Sequence, residues 1–431
     1  SDLLLLRNIQ KQYKIFLKKH RIVKEREQEE NKMLQGKTVL LGVTGGIAAY
    51  KMPNVARMLK KMHCNVHVLM TQNATNFITA TTFETLTGNK CLIDTFDRNF
   101  EFSVEHVALA KQADLVLLAP ATANVIGKIA NGIADDMLTT TVMACTCKVL
   151  VAPAMNHNMY HNSIVQENLE KLKRHGYEMI DPVCGMLANG DTGDGKLPSE
   201  ETLVEYVLRE LAFEKDMQGL KVLVTAGPTQ EAIDPVRFIS NYSTGKMGYA
   251  IAKNAMLRGA EVTLVTGRTA LEPPMFVKTV PVTSAKDMYQ AVMECAKEQD
   301  IIVKAAAVAD YTPAHTADEK IKKSEGELSL ALEKTTDILA ELGKNKGNTV
   351  LCGFSMETEH MLENSRAKRK KKNLDMIAAN NLKQQGAGFA GDTNVLTLIT
   401  EDWEKELALM SKDEAAKCLL DELLKIKKNK K

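Results

Sequence analysis

From Lys37 onward, short apolar runs alternate with longer stretches of mixed polarity. KTVLLGVT, NVHVLMT, ADLVLLAP and KVLVAP are almost continuous in Val, Leu and Ile. That is the pattern of strands covered on both faces, and the intervening stretches read as crossover helices of a parallel sheet. The pattern pauses at Phe213–Gly219 (FEKDMQG), then restarts with LKVLVTAGPT, AEVTLVTG, DIIVKAAAVADY, TVLCGFSMET, LDMIAAN and VLTLIT. Two consecutive α/β domains are expected, over residues 36–211 and 220–431, with a linker at 212–219. The motifs of the two halves differ, so this is not a tandem repeat. Residues 1–35 are highly charged, with Ile9, Tyr13 and Phe16 at helical spacing. They read as a charged helical arm.

Composition changes this picture little. A length of 431 residues suits two or three domains, and 45% apolar with 26% charged residues is ordinary for a globular chain. A formal charge of +2 gives no general pull towards nucleic acid or membrane. Eight cysteines without C-x-x-C spacing point to the reduced thiols of a cytosol, not to a disulfide framework or a cysteine zinc site. No apolar run approaches the roughly 20 residues of a membrane span, and Leu3–Leu6 is too short for a signal-peptide core. A cytoplasmic protein is expected.

Both halves open with strand, glycine-bearing turn and helix. In VLLGVTGGIAAYK, Thr44, Gly45 and Gly46 stand where amides at a helix start can cradle a phosphate. Thr71 and Asn73 follow the second strand, and Pro120, Thr122 and Asn124 a later one, at the carboxyl ends where open parallel sheets bind ligands. In the second half a strand ending at Thr225 leads into Ala226-Gly227-Pro228-Thr229, and SNYSTGKMG enters a helix. A P-loop is rejected, because Met247 follows Gly245-Lys246 where Ser or Thr is required. The basic run Lys368–Lys372 is too short, in a neutral chain, to indicate nucleic-acid binding.

GVTGGIAAYK, SVEHVALAKQADLVLLAPATAN, GIADDML and PAMNHNMY resemble the flavin-containing cysteine decarboxylases, specifically those acting on 4′-phosphopantothenoylcysteine, over residues 36–200. The resemblance implies a flavodoxin-like flavoprotein of Rossmann-like build, bound FMN, and trimers with active sites between subunits. It implies oxidation of the cysteinyl end, loss of CO₂ and reductive release of 4′-phosphopantetheine. His106 matches the histidine of the first two steps, and Asn156 the residue that holds the substrate carboxylate. Tyr160 stands where Trp is common. The family's flap reads A-C-G-D-x-G-x-G-R; here it is Ala188-Asn189-Gly190-Asp191-Thr192-Gly193-Asp194-Gly195-Lys196. A thiol of ordinary pKa near 8.5 can donate a proton, whereas the carboxamide of Asn189 cannot usefully do so. The last step is therefore expected to be impaired, unless Cys184 in DPVCG substitutes.

The second half, through GLKVLVTAGPTQEAIDPVRFISNYSTGKMGYAIA, AAAVADYTP, DEKIKK, GFSMETE, AKRKKKNLDMIAAN and GDTNVL, resembles the bacterial phosphopantothenate–cysteine ligases over residues 219–428. That resemblance implies CTP with Mg²⁺, an acyl-cytidylate, and displacement of CMP by cysteine. Lys320 matches the triphosphate-binding lysine and Asn241 the residue orienting the acyl group. Gly227, Ala306, Ala307, Asp310, Phe354, Lys368 and Lys372 match nucleotide contacts; no residue is assigned to metal. Lys334-Thr335-Thr336-Asp337 departs slightly from the common Lys-Asn-Pro-Asp. The partners implied are 4′-phosphopantothenate, cysteine and CTP. The assembly implied is a homo-oligomer of flavin-domain trimers and ligase-domain dimers, for which a dodecamer is one closed form. Two rivals stay open: a ligase on a non-catalytic flavoprotein scaffold, and a regulatory flavoprotein binding module.

Overall fold

The computed structural model describes residues 32–95, 105–186, 192–322, 328–357, 360–381 and 391–430. Residues 1–31 of the charged arm, and Asn189, lie outside them. The chain divides into two compact units at Phe213/Glu214.

The first unit contains β1 (Thr38–Val43), α1 (Met52–Lys61), β2 (Asn65–Met70), α2 (Ala80–Thr87), α3 (Glu105–Gln112), β3 (Leu115–Ala121), α4 (Ala123–Ala130), α5 (Met137–Ala144), β4 (Lys148–Pro153), α6 (His157–Tyr160), α7 (Ser163–Arg174), β5 (Glu178–Met179), β6 (Val183–Met186), β7 (Thr192–Lys196) and α8 (Glu200–Leu211). Its parallel sheet has the order β2-β1-β3-β4-β5. All seven positions of β3 are buried, which explains why this strand reads as one apolar run. Truncating a side chain such as Leu117 to Ala here costs about 2–5 kcal/mol. Pro120 lies inside β3 and not after it, because pairing resumes past a register shift at Ala121↔Pro153. Strands β6 and β7 form a separate antiparallel hairpin.

The second unit runs β8 (Lys221–Ala226), β9 (Glu231–Ala232), β10 (Phe238–Ile239), α9 (Lys246–Leu257), β11 (Glu261–Thr266), β12 (Lys278–Pro281), α10 (Ala285–Cys295), β13 (Ile301–Lys304), β14 (Tyr311–Pro313), β15 (Leu332–Lys334), α11 (Ile338–Lys344), β16 (Val350–Glu357), α12 (Met361–Lys371), β17 (Met376–Asn381), β18 (Thr393–Asn394), β19 (Leu396–Ile399), β20 (Glu404–Glu406), β21 (Met410–Ser411) and α13 (Lys412–Asn429). Its main sheet has the order β12-β11-β8-β13-β16-β17-β19-β20, parallel as far as β17 and antiparallel beyond. Strand β8 extends one residue past Thr225, since Ala226 still pairs with Thr266.

Helix α9 starts close upon β8: a Cβ at Gly248 would stand 2.5 Å from Ala226 Cβ, so the helix start tolerates only glycine there. Helix α13 is capped by a reciprocal Ser411–Glu414 pair and buries Leu419, Leu420 and Leu423. Next to it the guanidinium of Arg258, 7% exposed, is shared by Asp216 at 2.6 Å and Asp421 at 2.7 Å. A buried cation needs such partners, and removing either would strand charge in a poorly solvated place.

Candidate active sites

Three strand ends of the first unit meet. The buried Thr44 hydroxyl donates to the Pro120 carbonyl at 2.6 Å and accepts the Thr122 amide at 3.0 Å, clasping the β1 and β3 ends together. Its proton is committed to protein, so Thr44 serves here as scaffold. Gly45 touches the β2 turn: a Cβ there would lie 2.5 Å from that of Asn73. The Gly46 amide bonds the Thr44 carbonyl at 2.8 Å, and a 3₁₀ turn over Ile47–Lys51 leads into α1. Thr122 caps α4, while Asn73 and Asn124 are exposed. Thr71 lies at the end of β2, and its buried hydroxyl lacks a hydrogen-bond partner among the described residues. An orphaned buried hydroxyl beside a glycine turn and a helix start fits a bound phosphate-bearing group, which would supply the missing partner.

Asn156 is brought to the same sheet edge. The Ala154 amide donates to the Ala121 carbonyl at 3.0 Å, holding the chain after β4 beside β3. Asn156 then caps α6, its Oδ1 accepting the Asn158 amide at 2.9 Å and its Nδ2 amide remaining the donor. The Met155 amide donates to the Gly195 carbonyl at 3.0 Å, which docks β7 against this turn. His106 is half-buried on α3; among the described residues no hydrogen bond or ion pair ties it to this cluster.

In the second unit a cavity of about 300 Å³ is lined by Ala306, Ala307, Asp310, Phe354, Lys368 and Lys372, six of the residues singled out from the sequence. Gly227 lies behind the lining: with φ +74° it turns its carbonyl to the Ala307 amide at 3.0 Å. Asn241 spans two backbone groups, donating to the Ala307 carbonyl at 2.7 Å and accepting the Ser243 amide at 3.0 Å. It therefore fixes the shape of the wall. Lys320 is exposed and is not among the lining residues. Its neighbour Ile321 is pinned to the β9–β10 hairpin, its amide 3.2 Å from Asp234 and its carbonyl 2.8 Å from Arg237.

Sequence reasoning missed Lys304, the last residue of β13, which also lines the cavity. Burial, then the charges of Lys368 and Lys372, push its ammonium down to about 8, against the pull of Asp337 and Asp310. Asp337 sits 2.7 Å from Lys372. Although burial works against it, the bonds from Lys372 and the Ala340 amide hold this carboxyl below the usual range. Asn380, only 3% exposed, lines the cavity with its Oδ1 buried and without a hydrogen-bond partner among the described residues. The cavity is thus rich in cations and short of one donor, a setting for a polyanion carrying an N–H group.

The two units match two described families. Residues 27–212 match the family described as Flavoprotein, and residues 217–426 that described as the DNA/pantothenate metabolism flavoprotein C-terminal domain. The coenzyme A biosynthesis bifunctional protein CoaBC of Bacillus subtilis is 45% identical over 400 residues, 92% of this chain and 98% of that protein. The chain belongs to the CoaBC family. Its Escherichia coli member is 42% identical over 395 residues, 91% of this chain and 97% of that one. Among solved structures, the C-terminal domain of a CoaBC protein is 41% identical, with TM-score 0.44, covering 50% of this chain and all of that one. No helix among the described residues is long and apolar enough to cross a membrane.

Proposed function

We propose that the second unit joins 4′-phosphopantothenate to cysteine with CTP, and that the first decarboxylates the product with FMN. The observation supporting the ligase half is the meeting of Lys304, Lys368 and Lys372 with Asp310 around one cavity. The phosphopantothenate carboxylate attacks the α-phosphorus of CTP, the bond to pyrophosphate breaks, and the cysteine amine then displaces CMP from the acyl group. The lysines offset charge on the triphosphate, which brings Mg²⁺ with it as part of the substrate. Asn380 Oδ1 is suited to accept from the cytosine amino group.

Lys304 gives this reading a pH signature. Below pH 8 its ammonium is charged and attracts the triphosphate. As pH rises through about 8 the charge is lost, and CTP affinity falls by up to about tenfold per unit. Lys304→Met is expected to weaken CTP binding about 10- to 100-fold at pH 7 and to flatten the profile between pH 8 and 9.5. Binding titrations across that range check this; parallel profiles for the two proteins refute it.

In the first unit the orphaned Thr71 hydroxyl, the Gly45–Gly46 turn and the capped start of α4 are suited to hold FMN. When bound, FMN supplies the reversible two-electron oxidation that makes the cysteinyl carbon next to the carboxylate able to lose CO₂. The Nδ2 amide of Asn156 holds that carboxylate without stabilising the anion as a cation would. His106 moves the proton at the cysteinyl end.

Asn156→Asp tests this with the fold preserved, because Asp caps α6 equally well. The added negative charge faces the substrate carboxylate, and CO₂ release is expected to fall at least about a hundredfold while pyrophosphate release stays unchanged. Loss of both products, or of neither, refutes the division of labour. A homo-oligomer of flavin-domain trimers and ligase-domain dimers completes the proposal.

A further inference from the structure

Three side chains outside both sites above converge on one point. His157 and His161, at the two ends of α6, have ring centroids 4.4 Å apart. Asp194 of β7 reaches the same place, with Oδ2 3.3 Å from His161 Nε2. One ligand-capable atom from each of the three lies within 4.8 Å of the other two. The Nδ1 atom of His157 is buried with no hydrogen-bond partner among the described residues, and it lies against Gly193, where a Cβ would come within 2.8 Å of it. The backbone fixes the arrangement independently, through the Met155 amide bonded to the Gly195 carbonyl at 3.0 Å.

We propose that His157, His161 and Asp194 form a binding site for a divalent transition metal of the zinc class, which ties β7 to the turn carrying Asn156. Histidines four apart on a helical turn present both rings on one side, as in other His-x-x-x-His sites. Two imidazole nitrogens and one carboxylate oxygen suit Zn²⁺, Co²⁺ or Ni²⁺; Mg²⁺ and Ca²⁺ prefer all-oxygen shells. Bonds of about 2.0–2.1 Å in a tetrahedron place donor atoms roughly 3.4 Å apart. The His161–Asp194 pair already stands at 3.3 Å, and the third donor atom, from His157, lies within 4.8 Å of both. The fourth position is left to water. His161 and Asp194 are 49% and 46% exposed, so an ion can reach them from solvent. The ligands come from two segments more than thirty residues apart in sequence, so a bound ion cross-links the flap strand to the carboxylate-holding turn. The inference does not depend on which reaction the first unit performs.

The test uses the full chain after dialysis against a chelator. Titration with Co²⁺ is expected to raise a visible d–d absorption that saturates at one ion per chain and is bleached by Zn²⁺. His161→Gln and Asp194→Asn are each expected to weaken binding about 10- to 100-fold. Both side chains are half exposed, so neither substitution should prevent folding. Substituting Ser at Cys145, Cys147 and Cys184, thiols of the same unit that could capture the metal instead and of which Cys184 stands on the strand paired with β7, is expected to leave the titration unchanged. Zn²⁺ should raise the Tm of the parent chain and not that of His161→Gln. No absorption band, a band that survives both variants, or one that disappears with the cysteines would overturn the site.

Discussion

Gly195→Ala is expected to lower CO₂ release by at least about a hundredfold and to leave pyrophosphate release within a factor of two. Gly195 has φ +119°, a region open in practice only to glycine, and a Cβ there would collide with the Met155 carbonyl oxygen. Strain of about 1–3 kcal/mol adds to that overlap, so β7 must part from the turn that places Asn156. Gly176→Ala serves as the control. It also has positive φ, at +87°, but its Cβ would meet nothing within 4 Å. It should cost about 1 kcal/mol of stability and leave both products intact. Measuring CO₂ and pyrophosphate from the same samples decides the matter: equal losses in the two glycine variants would mean that flap docking is irrelevant to the chemistry.

The second large effect concerns Asn189, whose position is known only from sequence. Asn189→Cys supplies a thiol able to protonate the decarboxylated carbon. Formation of 4′-phosphopantetheine is expected to rise about 10²- to 10⁴-fold, the range of a well-placed general acid. Asn189→Ser, which adds a hydroxyl of much higher pKa, should change little. Product masses after incubation with 4′-phosphopantothenoylcysteine give the answer, and an unchanged product pattern in the Cys variant would dismiss the assignment of that position.

The strands were readable because the inner strands of both sheets are covered on both faces: LVLLAPA is seven buried positions in a row, and nothing polar interrupts it. The site was readable where a motif is local. Asp310, Ala306 and Ala307 fall within a few residues of one another and enter the cavity together with Lys368 and Lys372, a single helical turn apart. Lys304 was invisible for the opposite reason. At the end of an apolar strand it resembles an ordinary solvent-facing terminator, and only the arrival of α12 and the 335–337 segment surrounds it with charge. Lys320 shows the converse. Its motif is plain, yet the fold anchors its loop through Asp234 and Arg237, away from the lining of the cavity. His161 and Asp194 lie 33 positions apart, and no local pattern announces that a hairpin carries one to the other.

The shared guanidinium of Arg258 bears on how the chain matures during translation. Its second carboxylate, on Asp421, is made some 163 residues after it, and α13 covers the sheet only then. Until the ribosome has passed that codon the guanidinium has Asp216 alone as its partner and the ligase half an uncovered apolar wall, whereas the flavoprotein half is complete by Phe213. Synthesis therefore proceeds as a staged process, in which the earlier half can acquire its shape, and any prosthetic group, while the later one is still waiting for its closing segment.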